Sequence, residues 1–214
     1  MQIFSDIKPN VVINCTGFIS EAQILKNQLS AINVNAQLPH RIALICKEAG
    51  MKFIQISSDI VFDGKKGMHA EQDAVNVSDL YGAIKLLGEG AYTNCITLRT
   101  SIIGHKIIGK SGLVEWFLSQ SGKVRGYTKA IYFVFPTIEL AEIISDYILP
   151  NDKLSGIYHV SFDLISKDNL LKLIDERYGK DIEVEPYDEF ILDRSLDFSM
   201  FRFLIGYKPF RTLL

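Results

Sequence analysis

The chain has 214 residues, 48% of them hydrophobic and 22% charged, with a net charge of −2 at neutral pH. That is enough apolar material for one good core and a small second lobe, while the near-neutral balance offers nucleic acid no basic field and no apolar run reaches the roughly 18 residues of a membrane span. The opening Met1-Gln2-Ile3-Phe4-Ser5-Asp6 lacks the basic and apolar regions of a secretory signal, so the cytoplasm is the expected compartment.

Val11-Val12-Ile13-Asn14-Cys15, running into Thr16-Gly17, reads as a strand buried on both faces. Helical spacing follows over residues 33–49, with Gly50 as a stop signal. Phe53-Ile54-Gln55-Ile56 is a second buried strand, halted by Ser57-Ser58-Asp59. Residues 63–77 form a polar loop too long to be a plain connector. Ser78-Asp79 can cap a helix over 80–92, and Cys95-Ile96-Thr97-Leu98-Arg99 is a third strand. Strands alternating with helices long enough for crossovers predict an α/β fold with a parallel sheet.

Beyond Gly104 the alternation loosens. Residues 113–118 read as helix, 123–135 as extended chain, and 137–149 as helix, with Thr137 as its cap. Gly156-Ile157-Tyr158-His159-Val160 is a strand, Ser166 caps a helix to Tyr178, and residues 182–185 form a short alternating strand. The expected division is a first domain over 1–150, taking in part of a substrate lobe at about 105–130, and a smaller C-terminal lobe over 151–214. Cys15, Cys46 and Cys95 sit in apolar segments where a thiol serves as a small hydrophobe. The histidines at 40, 69, 105 and 159 have no partners at metal-ligand spacing, and His40 reads as a surface or groove residue.

Ser58, Tyr81 and Lys85 carry the chemistry. Tyr81 and Lys85, four apart, share one helix face. A phenol with ordinary pKa near 10 is a poor acid–base group at neutral pH, and a nearby ammonium favours its ionised form. Lys85 is expected to supply that push. Ser58, at the carboxyl end of a parallel strand, lies where open α/β sheets bind ligands, and its hydroxyl can hold a carbonyl oxygen against Tyr81. The plainer alternative is a solvated helix pair with Ser58 as a turn residue.

These residues stand in segments that resemble a known family. Residues 9–15, Ile56-Ser57-Ser58-Asp59-Ile60-Val61-Phe62-Asp63-Gly64, Tyr81-Gly82-Ala83-Ile84-Lys85-Leu86-Leu87-Gly88-Glu89 and Leu98-Arg99-Thr100-Ser101 are similar to dTDP-4-dehydrorhamnose reductases, of the extended short-chain dehydrogenase/reductase superfamily. The resemblance implies a Rossmann-like sheet with a small C-terminal α+β substrate lobe. It implies NADPH (or NADH) as cofactor and reduction of the 4-keto group of a dTDP-4-keto-6-deoxysugar for polysaccharide synthesis. By resemblance Ser58, Tyr81 and Lys85 are catalytic, with Ser58 standing where the family usually has Thr. Cys15, Thr16, Gly17, Asn35, Lys85, Arg99, Thr100 and Ser101 border the cofactor, Asn33 being a competing choice for the role of Asn35. Lys110, Arg125 and Lys129 are candidate substrate anchors, each also readable as a solvated surface charge.

The family opens with a strand, a G-x-x-G-x-x-G turn and a helix whose amides hold the cofactor pyrophosphate. No such glycine pattern occurs in these 214 residues. The expectation is a sheet lacking its first βαβ unit, a shortfall of roughly 50 to 60 residues, covered by a homodimer or a partner chain. A non-catalytic sugar-nucleotide-binding or regulatory subunit of the same fold is the alternative function; an epimerase ranks below both.

Overall fold

The computed structural model describes residues 2–19, 21–106, 112–161 and 163–207. Its strands are β1 (Val11–Asn14), β2 (Lys52–Ile56), β3 (Cys95–Arg99), β4 (Ile102–Ile103), β5 (Lys123–Tyr127), β6 (Ala130–Phe133), β7 (Phe135–Pro136), β8 (Gly156–His159), β9 (Leu164–Ser166), β10 (Glu183–Tyr187) and β11 (Leu192–Asp193). The helices are α1 (Gln2–Ile7), α2 (Glu21–Lys26), α3 (Gln28–Ala31), α4 (Leu38–Glu48), α5 (Leu80–Leu87), α6 (Leu113–Leu118), α7 (Thr137–Ile143), α8 (Lys167–Tyr178) and α9 (Ser199–Ile205). A π-helical segment, Ile32–Gln37, joins α3 to α4, and a second, Ile144–Ile148, continues α7.

The chain forms two compact units: Met1–Asp63 with Glu71–Thr100 and Asp152–His159, and Gly64–Ala70 with Ser101–Asn151 and the residues from Val160 onward. The division is therefore not the single cut near residue 150 expected from the sequence. The chain leaves the first unit after Thr100 and returns because β8 hydrogen-bonds to β3, with Leu98 opposite Tyr158.

In the first unit a parallel sheet runs in the order β1-β2-β3-β8. Its central strands carry the expected apolar runs because both faces are covered: Phe53, Ile54, Ile96 and Leu98 are all buried. Ala43 and Cys46 of α4 pack with Met51, Phe53 and Cys95. Burial pushes the Cys46 thiol up and the Cys95 thiol up to about 11, so these two behave as apolar side chains. Cys15 departs from that expectation, because it lies past the end of β1 and is exposed. Ile24, Ala31, Ala36 and Ile84 form another cluster with Phe18 and Tyr81 against it.

Helix α5 ends at Leu87, earlier than its apolar pattern suggests. His40 fixes this end, bonding the Leu87 carbonyl at 2.6 Å and the Tyr92 hydroxyl at 3.0 Å. The start is capped as expected: the Asp79 carboxylate accepts from the Gly82 amide at 2.8 Å.

The second unit is mixed. β5 pairs parallel with β10, β6 lies between β11 and β9, and β4 pairs with β7. Its core joins Val114 and Phe117 of α6 to Leu170, Leu171 and Ile174 of α8. Ser166 caps α8, accepting from the Asn169 amide at 3.2 Å, and Gly179 ends it at φ +59°. Thr137 is not a cap: Pro136 holds that position and Thr137 opens α7. Helices α1 and α9 have no counterpart in the sequence reading.

A side chain at Gly82 would place Cβ 2.5 Å from the Ile60 carbonyl oxygen. Gly82→Ala inside a helix ordinarily stabilises by about 1 kcal/mol. Here the clash with backbone reverses the sign, and the substitution is expected to cost about 1–3 kcal/mol by denaturant unfolding. A neutral or stabilised variant would show that α5 is not held against residues 59–61.

Candidate active site

Ser58 follows the last residue of β2 by two positions, in extended backbone. Its hydroxyl donates to Asp59 Oδ1 at 2.9 Å and accepts a long bond from the Ile60 amide at 3.4 Å, capping the short 3₁₀ turn Asp59–Val61. Lys85 reaches the same strand end: its Nζ donates to the Ile56 carbonyl at 2.7 Å, with the side chain buried. The start of α5 abuts Ile60, and Asp59 acts electrostatically on the Tyr81 phenol. Ser58, Tyr81 and Lys85 are thus gathered at the carboxyl end of β2.

The electrostatics differ from the expected acidification. Burial, then the nearby carboxylates Asp59 and Asp79, push the Tyr81 phenol up to about 12. Lys85 is not among the groups that shift it; its Nζ donates to the Ile56 carbonyl. Burial lowers the pKa of Lys85, opposed by Glu89 and Cys15.

Past β1, the Asn14 side chain organises the turn. Asn14 Oδ1 accepts from the Thr16 amide at 3.1 Å and the Thr16 hydroxyl at 2.6 Å, while its Nδ2 donates to Gln55 Oε1 at 2.8 Å. Gln55 in turn donates to the Ile56 carbonyl at 3.0 Å. Cys15-Thr16-Gly17 and Lys85 are therefore joined through Asn14, Gln55 and one carbonyl. Of the two asparagines, Asn33 is exposed and Asn35 is buried in the π-helical segment. The Asn35 amide group accepts from the Phe18 N–H and donates to the Phe18 carbonyl, both at 2.8 Å. It holds the backbone beside Gly17, and these two bonds run to Phe18 rather than to Lys85.

Arg99 and Thr100, expected beside a cofactor, divide. Arg99 is consumed inside the protein: it pairs with Glu89 at 2.7 Å, contacts His159 Nε2 at 3.2 Å and lies over the Phe62 ring at 5.3 Å. Thr100 is buried, and its hydroxyl has no hydrogen-bond partner among the described residues. Ser101 belongs to the second unit, where its carbonyl accepts from the Phe135 amide at 2.9 Å. Arg125 and Lys129 are exposed residues of that unit, the first over the Tyr187 ring at 4.8 Å and the second 3.8 Å from Asp188. Lys110 lies outside the described residues. The sequence reading missed Asn14, Gln55, Ser57 and Glu89 as site-building residues. The available signal was polar side chains inside apolar strand runs, which burial obliges to find partners.

A family model described as RmlD substrate binding domain matches residues 1–187. The chain belongs to this family. It is 36% identical over 88 residues to methionine adenosyltransferase 2 subunit beta of Danio rerio, a match covering 41% of this chain and 26% of that protein. It is 33% identical over 105 residues to a dTDP-4-dehydrorhamnose reductase of Burkholderia thailandensis, covering 47% and 35%. The chain thus spans about a quarter to a third of the length of these two relatives. The structure of a hypothetical dTDP-4-dehydrorhamnose reductase from Sulfolobus tokodaii superposes with a TM-score of 0.84 at 27% identity, covering 100% of this chain and 80% of that one. A Bacillus anthracis reductase solved in complex with NADP shares the fold, with a TM-score of 0.82 at 22% identity over 95% and 76%. Rossmann-like α/β architecture is common to both. Among the described residues, no group of His, Cys, Asp and Glu is placed to hold a metal, and no helix is long and apolar enough to cross a membrane.

The elevated phenol can be read directly. The difference between wild-type and Tyr81→Phe spectrophotometric titrations is expected to show a tyrosinate with midpoint near 12. An unfolded tyrosine ionises near 10, so the stabilisation from keeping this proton is full below pH 10 and is lost as pH rises towards 12. A midpoint at or below 10 would mean that the carboxylates and burial do not govern the phenol.

Proposed function

We propose that this chain carries the acid–base site of an NADPH-dependent reductase acting on the 4-keto group of a dTDP-4-keto-6-deoxysugar. The observation that carries the reading is the gathering of Ser58, Tyr81 and Lys85 at the carboxyl end of β2, with the Lys85 ammonium fixed at 2.7 Å on the Ile56 carbonyl. The family membership and the reductases among the relatives support it.

The cofactor's nicotinamide–ribose end fits the chemistry present: a buried ammonium, a phenol and the orphaned Thr100 hydroxyl at the end of β3. The pyrophosphate end finds no G-x-x-G-x-x-G turn in these residues. NADPH, when bound, supplies the hydride. Ser58 turns its hydroxyl from Asp59 to the substrate oxygen and orients it. Tyr81 gives its proton to that oxygen as the carbonyl bond opens, and solvent restores the phenol. Lys85 holds its ammonium at the same strand end, on the Ile56 carbonyl. The ligand-free phenol is fully protonated at neutral pH, which is the form that donates.

A second reading, a non-catalytic subunit of the same fold, is favoured by the similarity to the Danio rerio beta subunit and by the raised pKa of Tyr81. The two separate in one experiment, following NADPH absorbance with a dTDP-4-keto-6-deoxysugar. Tyr81→Phe is expected to lower turnover by about 10²-fold or more, with nucleotide-sugar affinity by calorimetry unchanged. Absence of both NADPH binding and turnover in the wild-type chain supports the second reading. Equal loss of binding and turnover in the variant assigns Tyr81 a structural role.

A further inference from the structure

Glu89 stands four residues beyond Lys85, and its side chain is 3% exposed. Its Oε1 accepts from the Ser57 hydroxyl at 2.6 Å and from Arg99 Nε at 3.0 Å, and its Oε2 accepts from Arg99 Nη2 at 2.7 Å. Arg99 carries the connection onward to His159 of β8, which packs edge-on against Phe62. One carboxylate thus ties together residues at the carboxyl ends of β2 and β3 and, through Arg99, of β8. Ser57 immediately precedes Ser58, and Ile56, whose carbonyl holds Lys85, immediately precedes Ser57.

We propose that Glu89 is a positioning residue for this site: its carboxylate locks the Ser57–Ser58 turn and the chain just beyond Lys85 into one frame. The inference rests on the reading of Ser58, Tyr81 and Lys85 as the reacting groups. A buried ion pair is a poor device for stability alone, since apolar residues of similar volume often serve as well or better. A carboxylate whose two oxygens are directed to donors from two strands instead fixes direction, which packing of aliphatic groups does less sharply. Glu89 also acts electrostatically on Lys85. The groups acting on that ammonium are Glu89 from beyond its own helix, Cys15 from the turn after β1 and the Ile56 carbonyl from β2, with Tyr81 one turn before it. Of these, Glu89 is the chief group opposing the effect of burial.

The test compares wild type with Glu89→Gln, which keeps an acceptor for Ser57 and removes the charge. Because Arg99 is then buried without its counter-ion, Glu89→Gln combined with Arg99→Met keeps the test available should the single variant fail to fold by circular dichroism. The deciding readout is the pH titration of the Lys85 side chain by NMR of labelled lysine, its resonance assigned by its disappearance in Lys85→Met. In the folded variant the Lys85 midpoint is expected to move to lower pH. With the sugar substrate, kcat should fall on the order of 10- to 100-fold with KM little changed, and the alkaline limb of the rate profile should move in the same direction. An unchanged kcat in a folded variant overturns the proposal, as does an unmoved Lys85 titration. If the wild-type chain shows no turnover, the reductase reading fails, while the NMR titration still judges Glu89.

Discussion

A buried ammonium is the constraint around which the first unit is arranged. Taking the Lys85 charge out of water costs several kcal/mol unless polar groups replace the lost hydration. The Ile56 carbonyl, 2.7 Å away, supplies one such group, and the Gln55 amide is anchored to the same oxygen. The position of this carbonyl depends on the end of β2, which is held by Ser57. Ser57 is fixed on one side by its amide donating to Leu98 and on the other by its hydroxyl donating to Glu89. The geometry around Lys85 is therefore inherited from the sheet, and a disturbance of the strand ends would reach the ammonium before it reached the apolar core.

The same arrangement explains why the phenol differs from its expected state. Spacing along a helix specifies that Tyr81 and Lys85 share a face; it does not specify where the ammonium points. Burial first, then Asp59 from the turn after β2 and the helix cap Asp79, raise the pKa of Tyr81, while Lys85 Nζ donates to the Ile56 carbonyl. Both carboxylates have structural duties: Asp59 accepts the Ser58 hydroxyl, and Asp79 satisfies an amide of the first helical turn. A phenol in that field retains its proton and is a weak acid. Such a phenol gives up its proton only to an oxygen more basic than its own phenolate. A ligand that draws Ser58 away from Asp59 changes this balance directly.

The sheet was legible because its strands write their burial in local runs: 11–15, 53–56 and 95–99 each read as short apolar segments between turn residues, and each became a parallel strand. The caps Asp79 and Ser166 were equally local. Contacts between segments distant in sequence were not readable. Asn14 meets Gln55 across 41 positions, and nothing in either segment specifies register. Resemblance alone places Arg99 at the cofactor border, and its pairing with Glu89 and His159, ten and sixty positions away, has no local signal. The return of β8 to the sheet hid the division into units, since a strand signal does not say which neighbours it joins. Helices α1 and α9 are short, with Ile3, Ile7, Phe203 and Leu204 exposed, and so offer no clear apolar stripe.

The buried polar residues also bear on why this sheet end has the form it does. Asn14, Gln55 and Thr97 occupy adjacent register positions of β1, β2 and β3, and all three are buried. Each finds a partner: Asn14 with Gln55, Gln55 with the Ile56 carbonyl, and Thr97 with the Gly90 carbonyl at 3.2 Å. An aliphatic row at these positions would pack with less desolvation cost, but it would remove the bonds from Asn14 to the Thr16 turn and from Thr97 to the Gly90 carbonyl. A satisfied hydrogen bond contributes about 1 kcal/mol net, whereas a buried partner left unsatisfied costs about 1–3 kcal/mol. Such a row therefore discriminates against misplaced loops more strongly than it stabilises the sheet. That asymmetry favours a strand end whose turns are held in one arrangement over a row that packs slightly better but specifies less.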